Sequence, residues 1–374
     1  MLSDKEKERY NRHLILNGFG VEAQEKLKRA KVLVVGAGGL GSPMLSYLCA
    51  AGVGTIGVVD FDSIDASNLQ RQTLFNVDDI GQQKVSSAIS KLQLQNPFVQ
   101  FNEHAVALTS NNILEIIKPY DIVADGTDNF PTRYLINDAC VLANKVNVHA
   151  SINEFTGQIA VFNYPEKDGN FSPNYRDIYP EPPNPNEVQS CSEAGVIGVL
   201  PGIIGSMQAL EVIKAITGIG EILKGKMKFY NGLTQESFSF NFEKDPNNPL
   251  RRKENRQESL IDYDAFCGVK KSNTMKTVNV QELKSWMDGS EEFTLIDVRE
   301  QHEFDEVNMG AELIPMNSVP NNVDAFRKEG KVVVHCRSGM RSANVIDYLE
   351  QTHGLDNLYN LEGGIMAWKA VEAQ

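Results

Sequence analysis

The chain has 374 residues, 41% of them hydrophobic and 23% charged, with a net charge of −13; that length accommodates two globular domains, each with its own core. Both parts of the chain are acidic and neither carries a basic stripe, which argues against direct nucleic-acid binding. Five cysteines without CxxC spacing make no disulfide framework and fit a reducing cytosol; residues 1–9 lack the apolar core of a secretory signal and no apolar run reaches membrane-spanning length, so a cytoplasmic protein without membrane contact is expected.

In chain order, residues 31–36 (KVLVVG) read as a buried parallel strand and 40–51 as the helix after it, while 55–60 form a second strand ending in Asp60. Strands are expected at 100–105 and 121–125, and helices at 83–95, 111–118 and 130–144. Strand alternating with helix implies an α/β protein with a doubly wound, mostly parallel sheet. Later, strands at 157–163, 227–231 and 236–242 surround one apolar helix at 201–217. The proline-rich stretch 165–190 reads as a long loop. The charged stretch 246–275 reads as a linker between a first domain, 1–245, and a smaller α/β domain, 276–374. That second domain holds expected strands at 293–297, 331–335 and 357–360, with helices at 300–306, 320–328, 340–351 and at the end.

Gly36-Ala37-Gly38-Gly39-Leu40-Gly41 fits GxGxxG directly after a strand, with Asp60 at the spacing of a ribose-binding acid. Glycines let backbone approach phosphates, and a helix N-terminus faces them. Many dehydrogenases share that signal. Arg71 and Lys84, following the acid, add the cations a triphosphate needs. Asp125-Gly126-Thr127-Asp128-Asn129 ends another strand at the sheet edge where open α/β sheets bind ligands. Two roles are open to Asp128: holding Mg²⁺ against phosphates, or capping the helix that begins near Pro131.

These segments (GAGGLG, DFDSIDASNLQRQ, GQQK, DGTDN and CSEAGVIGVLPGIIGS) resemble the MoeB/ThiF family of adenylating enzymes over roughly residues 5–245. The resemblance implies a Rossmann-like domain that uses ATP and Mg²⁺ to adenylate the C-terminal glycine of a ubiquitin-like sulfur carrier ending in Gly-Gly. By motif position, Gly36, Gly38, Gly39 and Gly41 form the turn, Asp60 binds ribose, Asn68, Arg71 and Lys84 the phosphates, Asp128 the metal, with Asn129 beside it. It also implies a homodimer in which Arg12 reaches the partner subunit's ATP. Cys191, in Ser190-Cys191-Ser192, is either an incidental loop thiol or a residue that attacks the acyl-adenylate or relays sulfur; the resemblance implies a cysteine at this motif position. Family members commonly hold zinc through two CxxC pairs. Here residues 172–177 lack the first pair and only Cys267 remains of the second, so no zinc site is expected. Cys49 and Cys140 fall on apolar helix faces and read as core.

His335-Cys336-Arg337-Ser338-Gly339-Met340-Arg341-Ser342 follows the apolar run Val332-Val333-Val334. A cysteine leaving a buried strand for a short loop and a helix meets inward-pointing N–H groups that favour its thiolate. Four residues separate Cys336 from Arg341, one fewer than a phosphatase loop uses to wrap phosphate, which suits a single sulfur. With Leu295-Ile296-Asp297-Val298-Arg299-Glu300 and Gly363-Gly364-Ile365-Met366-Ala367-Trp368, the stretch 276–374 resembles a rhodanese domain. That implies a persulfide on Cys336, a donor such as a cysteine desulfurase, and Arg337 and Arg341 lending positive potential. Asp297 and Arg299 are expected to brace the fold as an ion pair. The expected reaction is adenylation followed by sulfur transfer to give a thiocarboxylate, serving a molybdopterin, thiamine or tRNA-thiolation pathway. A nicotinamide oxidoreductase with an accessory rhodanese module, or a nucleotide-binding sulfide sensor, are the alternatives.

Overall fold

Val32, Leu33, Val34 and Val35 are buried, as a central parallel strand covered on both faces requires. They belong to β1 (Lys31–Val35), the middle of a sheet that continues through β2 (Thr55–Val59), β3 (Gln100–His104), β4 (Ile122–Asp125), β5 (Val146–Asn153), β6 (Thr156–Phe162), β7 (Lys226–Asn231) and β8 (Ser237–Asn241). The order is β3-β2-β1-β4-β5-β6-β7-β8, parallel as far as β5 and antiparallel beyond it. This computed structural model describes residues 1–183, 195–252, 254–268, 275–289 and 291–372, which fall into two units, Met1–Val269 and Lys270–Gln374.

β1 pairs with β2 on one side and β4 on the other, so the connections leave in opposite directions and open a crevice at the strands' C-terminal ends. Helix Gly41–Ala51 and helix Lys84–Gln95 cover one face, with Leu45, Leu48, Val85 and Leu92 in its core. Helix Phe130–Leu142 covers the other, where Tyr134, Ile136 and Phe162 pack with Leu33 and Val123. Helix Val199–Thr217 is the apolar helix anticipated from 201. Its 19 residues extend further than the sequence reading allowed for an apolar run, long and apolar enough by composition to cross a bilayer. Here it packs on the sheet, with Leu200, Ile204, Ala209 and Val212 buried. Its buried Gln208 amide donates to the carbonyls of Asp125 and Val148 at 2.7 and 2.8 Å.

Short helices at Asp4–Arg9, Asn11–Leu14 and Gly20–Arg29, together with β5, stand where the sequence reading named no element. β5 alternates Asn147, His149 and Ser151 with apolar residues, a pattern of a half-solvated strand; all three polar side chains are buried instead.

The second unit is a five-stranded parallel sheet built from β9 (Lys276–Val278), β10 (Phe293–Asp297), β11 (Glu312–Leu313), β12 (Lys331–His335) and β13 (Leu358–Leu361), in the order β11-β10-β12-β13-β9. Val332, Val334, Ile346 and Leu349 form its core. β9, β11 and helix Val280–Asp288 add to the expected elements. The helix anticipated at 320–328 is instead two 3-10 turns, Met316–Asn321 and Val323–Phe326, because Pro320 lacks a donor and Asn322 takes a non-helical conformation between them.

Of the stretch anticipated as a linker, the described residues up to Gly268 pack within the first unit: Leu250, Tyr263 and Cys267 are buried there. The long loop is tied down at a 3-10 turn, Tyr175–Asp177. The buried Arg176 guanidinium grips Asp138 through two bonds of 3.0 and 2.6 Å and lies over the rings of Tyr134 and Phe266. The same Asp138 carboxylate accepts from Tyr263 and Gln257, and Arg251 pairs with Asp177 at 3.1 Å. The two segments in which the family resemblance would place zinc-binding pairs are thus joined by charge and stacking. Asp138→Ala strands the Arg176 charge in the core, which costs about 3–5 kcal/mol; urea unfolding is expected to show that loss in the first unit.

Candidate functional site

Two sites form where parallel strands end. In the first, β1 turns into helix Gly41–Ala51 through residues 36–40. Gly36 has φ +91°, and a side chain on it would press the Gly126 carbonyl after β4. A Cβ on Gly41 would collide with the Gly36 carbonyl, so this glycine permits the helix to start against the strand end. Asp60, at the end of β2, accepts from the N–H of Ala37 at 2.8 Å and of Asp62 at 2.9 Å, and thereby braces the glycine turn. Burial pushes its carboxyl above the usual range, opposed by the nearby Lys84 charge and these two N–H bonds.

The crevice is a cleft of about 300 Å³ whose lining includes Gly36, Gly38, Gly39, Asp60, Asn68, Arg71, Lys84, Asp128 and Asn129. Nine of the residues singled out for nucleotide binding therefore meet in one space. Gly41 lies behind it in the packing role just described. Arg12 is exposed on helix Asn11–Leu14 and does not line its own chain's cleft. Lys84 is buried and its Nζ pairs with Asp62 at 2.7 Å, so a phosphate would share it with that carboxylate. Asn68 caps its own turn, accepting from the N–H of Asp65 at 3.2 Å, and Arg71 donates to the Ser67 carbonyl at 3.1 Å.

Asn129, not Asp128, caps helix Phe130–Leu142, its side chain accepting from the Thr132 N–H at 2.9 Å. The capping role open to Asp128 thus falls to its neighbour, and the exposed Asp128 lines the cleft. Behind it lies a constellation absent from the sequence reading. Asp125, fully buried, accepts from the Thr127 N–H and hydroxyl at 3.0 and 2.6 Å, which fixes the turn carrying Asp128. Its other oxygen meets His149 Nδ1 at 3.1 Å. Burial raises the Asp125 carboxyl, but the His149 bond, the Arg133 charge and the Thr127 hydroxyl outweigh it and hold the group below its ordinary value. Burial lowers His149 and the Asp125 contacts only partly offset this, so the imidazole is neutral. Phe61, 63% exposed, and the apolar Val106 and Leu108 line the cleft together with Asp60. Phe61 directly follows Asp60, which is the one signal that marked it.

In the second site β12 ends at His335, and Cys336 enters a loop closed by Gly339, φ +93°, at the start of helix Met340–His353. The Cys336 sulfur accepts from the Gly339 N–H at 3.2 Å and from the Ser342 hydroxyl at 3.5 Å. Burial pushes this thiol up, yet the Ser342 hydroxyl and the N–H groups of Ser342, Ser338 and Gly339 pull it below its ordinary value. The contrast with the other thiols is plain: burial pushes Cys49 and Cys267 to about 11 and raises Cys140 further. Arg299 and Asp297 form the expected buried ion pair, at 2.6 Å. Arg341, anticipated to lend charge to the loop, places both terminal nitrogens on Glu303 at 2.6 and 2.7 Å. Arg337 is exposed. Cys191 lies outside the described residues. No group of three or more metal-ligating side chains occurs among the described residues.

A doubly wound sheet with a glycine turn, an acid and two cations at its crevice is the architecture of nucleotide-dependent activating enzymes, here joined to a rhodanese-type cysteine loop. The ThiF family description matches residues 10–251 and the rhodanese-like domain description residues 279–371. Over 376 residues the chain is 44% identical to the probable adenylyltransferase/sulfurtransferase MoeZ of Mycobacterium tuberculosis, covering 98% of this chain and 94% of that protein. It is 48% identical over 266 residues to the sulfur carrier protein adenylyltransferase of Thermus thermophilus, covering 71% of this chain and 98% of that protein. Among solved structures it resembles Escherichia coli MccB, with a TM-score of 0.58 at 21% identity over 70% of this chain and 76% of that one, a likeness of fold. The chain belongs to the ThiF family. It is an adenylyltransferase with sulfurtransferase activity.

Because His149 is held neutral by burial, its contribution to stability is complete above its unfolded pKa of about 6.5 and is lost as pH falls below it. The depressed Asp125 acts in the same direction at lower pH, its stabilisation present above about pH 4 and lost below. Acidification from pH 7 to 5 is therefore expected to lower the denaturant midpoint of the wild-type first unit more than that of His149→Asn.

Proposed function

We propose that the first unit adenylates the C-terminal glycine carboxylate of a ubiquitin-like sulfur carrier and that Cys336 then supplies sulfur as a persulfide. The observation that carries this reading is the single cleft in which the glycine turn, Asp60, Arg71, Lys84 and Asp128 converge. A redox dinucleotide needs the first two alone; the two cations beside them favour a triphosphate over the nicotinamide alternative. Arg71 and Lys84 neutralise charge while a carboxylate oxygen of the carrier bonds to the α-phosphorus. The bond to the β-phosphate breaks, and pyrophosphate leaves with its electron pair. The product is an acyl-adenylate, and the protein's part is positioning and electrostatic stabilisation. Asp128, one carboxylate free of capping duty at the strand edge, fits Mg²⁺, which takes few protein carboxylates and fills its shell with water and phosphate oxygens. Bound there, Mg²⁺ would add positive charge to the phosphates. Arg12, exposed and outside its own cleft, fits a role in the partner subunit of a homodimer.

In the second stage the terminal sulfur of the Cys336 persulfide attacks the acyl carbonyl and AMP leaves, giving an acyl disulfide. A second thiolate, which we assign to Cys191, attacks the Cys336 sulfur. The carrier departs as a thiocarboxylate and a Cys191–Cys336 disulfide remains, to be reduced by a cellular thiol. Splitting one difficult substitution into covalent steps lowers each barrier. A cysteine desulfurase is a suitable sulfur source, and the choice among molybdopterin, thiamine and tRNA-thiolation pathways lies with the carrier.

Cys336→Ala is expected to abolish thiocarboxylate formation while leaving carrier-dependent ATP–pyrophosphate exchange intact; loss of exchange in the folded variant would break this division of labour. Lys84→Ala is expected to slow exchange by about a hundredfold or more, the scale of removing one donor to a transition-state charge. Mass spectrometry of glycine-tailed carriers, seeking the gain of about 16 Da when sulfur replaces oxygen, tests the whole sequence.

A further inference from the structure

Arg341 occupies the first turn of helix Met340–His353, where the backbone already presents positive potential. A guanidinium there is unfavourable unless an anion faces it, and two are on offer. One is the Cys336 sulfur, when ionised, which lies at the same helix start and acts on Arg341 through space. The other is Glu303, which arrives from helix Gln301–Glu306 and takes both Arg341 nitrogens in a bidentate grip. Glu303 is itself fixed: its Oε2 accepts from the Glu300 N–H at 3.1 Å, and its carbonyl accepts from Arg299, whose guanidinium is locked on Asp297. The titratable and charged groups around the sulfur are thus Asp297, Arg299 and Glu303 from the β10 side, His335 before it, whose pKa burial lowers, and Arg337 and Arg341 on its own loop and helix. β13 contributes the neutral Asn360, which accepts from Ser342 at 2.6 Å and donates to the Gly339 carbonyl at 3.0 Å.

We propose that Glu303 is a positioning residue for sulfur transfer: by gripping Arg341 it anchors the far end of the Cys336 loop and withholds the guanidinium from the sulfur, leaving loop N–H groups and the Ser342 hydroxyl as its donors. The proposal rests on the reading of Cys336 as the sulfur-bearing residue. Its chemical consequence is a balance. A thiolate in direct contact with a guanidinium ionises more readily but is a weaker nucleophile, since intrinsic nucleophilicity falls with basicity. Glu303 keeps the sulfur ionisable by hydrogen bonds and still reactive. The carboxylate can play this part at any working pH, because Arg341 holds it at about 2.

The test uses the full chain and two readouts. In the first, alkylation of Cys336 by iodoacetamide is followed against pH by peptide mass spectrometry. In Glu303→Gln the freed guanidinium turns to the sulfur and the alkylation midpoint falls by about one pH unit, the effect of an opposite charge at close range. Glu303→Gln combined with Arg341→Gln returns the midpoint towards the wild-type value. The second readout is sulfur uptake from thiosulfate with cyanide as acceptor. The Cys336 thiolate bonds to the outer sulfur of thiosulfate and sulfite leaves with the electron pair. Cyanide then bonds to the terminal sulfur of the persulfide, giving thiocyanate and regenerating the thiolate. Above both midpoints, uptake in Glu303→Gln slows about threefold, following the loss of basicity. A folded Glu303→Gln with a lowered melting temperature but an unmoved midpoint and rate overturns the proposal, as does a lowered midpoint that persists in the double variant. Absence of cyanide-dependent turnover in the wild type would defeat the Cys336 reading instead, and the alkylation midpoints would still decide whether Glu303 governs Arg341.

Discussion

Both sites depend on one backbone constraint: a parallel strand must pass into a helix so tightly that the turn's N–H groups are laid bare at the sheet edge. In the first unit the constraint is met by Gly36 and Gly41, whose missing side chains let the helix start touch the strand end and the neighbouring β4 turn. In the second it is met by Gly339 and Gly364. A side chain on Gly364 would strike the Cys336 carbonyl, so the final helix could not close over the loop. Where the backbone comes this close, its dipoles stabilise anions at no cost in reorganisation. In the proposed reaction the same geometry receives phosphate in one unit and sulfur in the other.

Backbone alone does not hold such turns in place, and the chain uses buried charge to do it. Asp125 with His149 stands behind the Asp128 turn, Asp138 with Arg176 anchors the long loop and the stretch after the sheet, and Asp297 with Arg299 stands behind the Cys336 loop. Each carboxylate is fully buried and each accepts several hydrogen bonds, the condition under which a buried charge is tolerable. Fixing the turn is what these pairs contribute; apolar residues of equal volume would pack as well but would leave the turn's orientation unspecified.

Much of this was legible in the residues. β1, β2, β4 and β12 show as short apolar runs ending in a glycine, an acid or a cysteine, and the nucleotide residues stand in motifs whose spacing reflects the turn they make. The bracing ion pair of Asp297 and Arg299 was anticipated from the sequence and is found. Other parts were hidden for physical reasons. β5 reads as half-solvated because its polar residues alternate with apolar ones, although they are buried, His149 against Asp125 from β4. The part of 246–275 that packs in the first unit looks like a linker because its anchors, Asn248, Tyr263 and Cys267, are scattered among charged residues.

The sequence by itself determined the fold class, the position of each glycine turn and the identity of the groups around it, because these follow from local periodicity and from residue types that few other conformations tolerate. Only the tertiary structure decided which neighbour each charge would choose: Asn129 rather than Asp128 as the helix cap, Asp62 as the partner of Lys84, and Glu303 as the partner of Arg341. The cap is chosen by the local backbone conformation at Asn129, but the partners of Lys84 and Arg341 are set by distances of a few ångströms between segments tens of residues apart, a property of packing that no local pattern encodes.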